Sequence, residues 1–139
     1  MSADVGQWHD DDQEDYVDDS PAPRGEEPAQ LKYTNLVDFV EQHLLPLYRR
    51  DVRTWCPQWW KHAEAAVRLD ALWMSWEQFR LEAGTGSSTW LRDHLDHHMT
   101  VLTSDDGPLK GCTPERGHAD RVFPVLPSAP APRSWGAEA

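Results

Sequence analysis

The chain has 139 residues and a formal net charge of −11 at pH 7, a length that fits a single domain. The charge is uneven: residues 1–30 hold ten acids against one base, residues 31–112 hold eleven against nine, and residues 113–139 are balanced. The nearly neutral middle offers no net field to a nucleic-acid backbone, and no apolar run is long enough to span a membrane.

Residues 1–30 are acidic, contain proline and are poor in aliphatic side chains. Such a stretch buries too little apolar surface to offset ordering entropy, so it is expected to be disordered. It lacks an apolar h-region and does not read as a secretion signal. A cytoplasmic protein is the default expectation, with Cys56 and Cys112 as reduced thiols unless they bind a metal.

Residues 31–112 read as an all-α, small three-helix domain. In "TNLVDFVEQHLLPLYRR" the residues Leu36, Phe39, Val40, Leu44 and Leu47 recur at helical spacing, with Thr34 or Asn35 as N-cap. Pro46 lacks an N–H and should kink or end this helix near Leu45. "AEAAVRLDALWMSWEQFRLE" is the strongest helical stretch, with a stripe of Leu69, Leu72, Trp73, Trp76 and Phe79 or Arg80. "AGTGSS" breaks it. "STWLRDHLDHHMTVLTS" is the third helix, expected to be capped by Ser88 or Thr89 and to stop before the turn signal "SDDGP". Six of the eight tryptophans lie in this region, so the core should be tryptophan-rich. Residues 113–139 read as a proline-rich disordered tail, with "FPVLP" either a linker or a small docking segment.

A domain this small often needs a staple. On the third helix His94 and His98 are four residues apart, one turn above each other. That spacing is the helical half of many zinc sites. Cys56, His62 and Cys112 flank helices and supply further ligand types. A Cys2His2 set drawn from Cys56, His62, His94, His98 and Cys112 would favour zinc, because thiolate and imidazole together select it over calcium or magnesium. The preferred expectation is plain packing without metal: hydrogen-bonded core histidines, and Cys56 as a small buried hydrophobe. A structural metal is favoured over a catalytic one, which would need an open position and a general base.

A second candidate lies in "YRRDVRTWCPQWWK", where Arg49, Arg50, Arg53 and Lys61 alternate with Tyr48, Trp55, Trp59 and Trp60. Basic residues with stacking aromatics can bind single-stranded nucleic acid. The competing expectation is that the arginines complement a helix C-terminus while the tryptophans pack inward.

Four stretches, "FVEQHLLPLYRR", "WCPQWWKHAEAAVRLDALWMSWE", "WLRDHLDHHMTVL" and "GPLKGC", together resemble an uncharacterised domain family of actinobacteria and their mobile elements. Its pattern falls on Trp55, Cys56, Trp59, Trp60, His62, Leu72, Trp73, Trp76, Glu77, Trp90, Arg92, Asp93, His94, Asp96, His98, Gly107, Pro108 and Cys112. Ala63 departs from a position where the family often has proline. The resemblance places Asp93 and Asp96 in the motif, which implies that they orient histidines through hydrogen bonds. It carries no activity. It implies a non-enzymatic accessory or interaction protein of a plasmid, phage or conjugative element, with an unidentified protein partner. A metal-dependent enzyme is the remaining alternative.

Overall fold

The computed structural model describes residues 30–119 and 122–136. The expected acidic tail, apart from Gln30, lies outside the described residues. Contacts divide the chain after Gln30, leaving Leu31–Ala139 as one unit. Within it the regular elements of the described residues are all helical, with a single isolated bridge between Thr113 and Gly117 as the only extended pairing among them. The all-α expectation holds, and so does the three-helix order. No helix among the described residues is long and apolar enough to cross a membrane.

The first helical run covers residues 36–47 as α (Leu36–Phe39), π (Val40–Leu44) and α (Leu45–Leu47) turns. Asn35 caps it, accepting the Asp38 N–H at 2.8 Å and donating to the Asp38 carboxylate at 2.9 Å. One orphan N–H of the first turn is thereby satisfied, and the side-chain bond between the two residues fixes the cap. Pro46 does not end the run at Leu45. The π turn precedes it, and that wider turn relieves the crowding of the proline ring against the carbonyl four residues back. The run then stops at Tyr48, whose φ of −99° and ψ of 83° are not helical.

The second helix is Ala63–Phe79. The third run follows almost at once, as α (Gly86–Thr89), π (Trp90–Leu95) and α (Asp96–Leu102) turns. It starts earlier than expected, with Thr85 in place of Ser88 or Thr89 at the N-cap position. The turn between the two helices is tight because of Gly86. A Cβ there would sit 2.2 Å from the Phe79 carbonyl oxygen, so only glycine lets the backbones approach this closely.

The core is formed where the three runs meet. Phe39, Leu44, Leu69, Leu72, Leu95, Met99 and Leu102 are almost wholly buried. Trp59 and Trp90 are buried, while Trp55, Trp73 and Trp76 pack against the core partly exposed. The Trp90 indole N–H donates to the Leu72 carbonyl at 3.2 Å and to the Ser75 hydroxyl at 3.1 Å. A buried indole is thus satisfied across the second and third helices.

Glu77 is the one buried charged side chain among the described residues, 5% exposed. Its carboxylate accepts the backbone N–H groups of Lys32 and Tyr33, both at 2.9 Å, and the Arg80 guanidinium at 2.8 Å. A longer contact of 3.4 Å comes from the Trp73 indole. The chain entering the first helix is therefore fastened to the second by a single carboxylate. These charge-assisted bonds offset burial and hold the Glu77 carboxyl below its ordinary range.

Candidate metal centre

Two short segments outside the helices carry the site. Cys56 lies between the 3-10 turns Val52–Thr54 and Trp59–Lys61, and His62 is the residue before the second helix. Cys112 follows the third run. His118 comes after a turn closed by the Gly117 N–H donating to the Thr113 carbonyl at 2.7 Å. Gly117 adopts a φ of 74°, a left-handed conformation that glycine takes without strain.

The ligand atoms of Cys56, His62, Cys112 and His118 all lie within 4.8 Å of one another. The Cys112 sulfur is 3.4 Å from His62 Nε2 and 3.9 Å from His118 Nδ1. The Cys56 sulfur is 3.5 Å from His118 Nδ1. A tetrahedral zinc with Zn–S of about 2.3 Å and Zn–N of about 2.0–2.1 Å requires ligand–ligand edges of about 3.3–3.8 Å. Thiol–imidazole hydrogen bonds explain single pairs, but His118 Nδ1 faces two sulfurs and has only one lone pair or one N–H to offer.

Both cysteines are buried and both histidines are half-buried. The Ala119 N–H donates to the Cys112 sulfur at 3.2 Å. The Gln58 backbone N–H and the Lys61 charge favour a thiolate at Cys56. Burial and the adjacent Cys112 thiol outweigh them and push the Cys56 thiol up to about 11. A coordinated dication reverses that balance, because it deprotonates the thiols it binds.

The structure therefore gathers three of the expected ligand candidates, Cys56, His62 and Cys112, and adds His118. It does not bring His94 or His98 to them. The ring of His94 packs against Phe79, 5.1 Å between centroids, and His98 Nδ1 is 3.0 Å from an Arg68 guanidinium nitrogen. Both pack on the second helix. Asp93 is engaged by its neighbour Arg92 at 2.8 Å, and Asp96 is exposed. Neither belongs to the four-residue group.

Contacts with the core continue past Cys112. Residues 113–119 wrap back so that His118 reaches both sulfurs and Ala119 packs against the core. The missed signal was spacing. Cys112 and His118 repeat the separation of Cys56 and His62, so Cys-x5-His occurs twice.

The arginine–tryptophan stretch does not form one stacking platform. Trp59 is 4% exposed. Arg53 is held by Asp51 at 2.7 Å, and Arg50 lies over the Tyr48 ring, 4.0 Å from its centroid. Trp60, Arg49 and Lys61 remain exposed. Arg49 and Arg50 border a half-open groove of about 300 Å³ above Leu45, Trp55 and Met99.

Residues 33–132 match a family described as a domain of unknown function, DUF4913. The chain belongs to that family. The DUF4913 match runs past Cys112 and takes in all four residues of the metal centre. No curated protein and no solved structure matches the chain.

Proposed function

We propose that this DUF4913 domain is a non-enzymatic accessory or interaction module whose fold is closed by one structural zinc ion, held by Cys56, His62, Cys112 and His118. The observation that supports this is the convergence of four ligand atoms from two distant segments to within 4.8 Å. Two thiolates and two imidazoles suit zinc over the hard cations. Two thiolates also balance the dication, so the filled site is neutral and tolerates burial. The zinc would clip the segment before the second helix to the segment after the third, closing a long loop around both.

A metal-dependent enzyme needs a coordination position left for water or substrate. Four protein ligands leave none, which favours a structural role. The setting in an actinobacterial mobile element, implied by the sequence resemblance, stays part of this proposal.

The test is the metal content of the full chain, purified without chelator or histidine tag, followed by thermal melts with and without EDTA. About one zinc per chain and a melt that collapses with chelator is the expected result. His118→Ala should lose the metal, while His98→Ala should keep it. A metal-free chain whose melt ignores EDTA would overturn the zinc reading.

A further inference from the structure

The segment after the metal loop reads Arg121, Val122, Phe123, Pro124, Val125, Leu126, Pro127, and prolines recur at positions 124, 127 and 130. A polyproline II helix has three residues per turn, so prolines at that period share one edge. Residues 124–132 form no helix or strand. The side chains between Pro124 and Pro127 are apolar and turned to solvent: Val125 is 94% exposed and Leu126 87%. Single exposed apolar residues are common on protein surfaces. Two adjacent, almost fully exposed ones on a proline-stiffened backbone are different, because most of the ordering cost of binding is already met.

The root of the segment is held. The Lys110 ammonium lies 5.6 Å from the Phe123 ring centroid. Val122 packs so closely on Gly111 that a Cβ there would come within 2.8 Å of it. Beyond Phe123 every residue to Gly136 is exposed. The segment is anchored beside the Cys112–His118 loop and presented outward.

We propose that residues 122–127 are a docking peptide, a polyproline II ligand for a partner protein domain with an aromatic-lined groove of the SH3 type. The order any, apolar, proline, any, apolar, proline is what such a groove reads. Each apolar–proline pair fills one aromatic slot. Phe123 keeps half its surface free for the first slot. This inference does not rest on the zinc reading, since it is argued from the exposure of Val125 and Leu126 and from the proline spacing.

The test uses the full chain, isotopically labelled, titrated with a purified SH3 domain that reads basic-x-x-Pro-x-x-Pro peptides. Saturable chemical-shift changes confined to residues 121–132 are the expected result. The double substitution Pro124→Ala/Pro127→Ala should weaken binding by about tenfold or more, while Pro130→Ala should change it little. Neither should alter the thermal melt, which separates lost recognition from lost folding. The proposal is overturned if no shifts appear, or if the double substitution binds as well as the parent. It is equally overturned if Val125 and Leu126 contact the helical domain in solution. Concentration-dependent shifts without the probe would assign the segment to a second copy of the chain and overturn it too.

Discussion

Two regions of this chain carry histidine among other ligand types, and their fates differ. Residues 90–99 hold three histidines and two aspartates, all on one helical run. The loops at 56–62 and 112–118 hold one cysteine and one histidine each. The dense region gathers nothing: His94 meets Phe79, His98 meets Arg68, and Asp93 meets its neighbour Arg92. The sparse loops place four ligand atoms within 4.8 Å. A single helix spreads its side chains around and along its axis, so two ligands one turn apart still need partners from other segments. Loops that meet at one end of a bundle supply that convergence.

The largest expected effect separates these regions directly. Cys112→Ser or His118→Ala should abolish metal binding and lower stability by several kcal/mol, since structural zinc contributes on the order of 10 kcal/mol of apparent binding free energy. His98→Ala or His94→Ala should cost only about 1 kcal/mol, as for a half-buried side chain away from any site. Equal losses at His98 and His118, read by thermal or denaturant melts, would erase the contrast.

Glu77 sharpens the comparison from another side, because it converges distant groups without a metal. It binds N–H groups 44 and 45 residues away in sequence. Glu77→Ala leaves those donors and the Arg80 guanidinium without their acceptor. Because the Arg80 side chain is about a quarter exposed, the cost is set below that of a fully buried pair, at ~2–4 kcal/mol. Glu64→Ala, which removes an exposed i,i+4 partner of Arg68, should cost only ~0.3–0.5 kcal/mol. Denaturant melts of the two variants check the ratio. Comparable losses would mean that Glu77 does not fasten the chain entry.

Local patterns were the legible part of this molecule. Leucine and aromatic spacing marked all three helices, and Asn35 was among the expected caps. Glu77 fell in the resemblance motif, but its role did not follow from sequence, since its donors come from backbone at Lys32 and Tyr33. Both π turns were missed, because hydrophobic period cannot distinguish a locally widened helix from a regular one. Three of the four metal-centre residues were named from chemistry alone. His118 was missed because proline-rich composition suggested a tail, while the repeated Cys-x5-His spacing pointed the other way.

The smallest expected effect concerns the helix-borne histidines. Burial, aided by the Arg68 charge and by His97 and His94, holds His98 below its ordinary value of 6.5. Burial lowers His43 too, against the pull of Glu77, among the rings of Tyr33, Phe39, Trp76 and Trp90. Between the folded value and 6.5, the unfolded chain binds more protons at each of these groups than the folded chain does. Their neutral packing therefore stabilises the fold fully above about pH 6.5, and that contribution is lost as pH falls through the folded value. Loss of a metal in acid would confound a bulk melt. Ring resonances followed by NMR avoid this, because they report each histidine separately. Both rings should titrate below 6.5. A His98 midpoint at or above that value would mean that Arg68 does not donate to a neutral imidazole, and that this helix face is more open to water than its packing indicates.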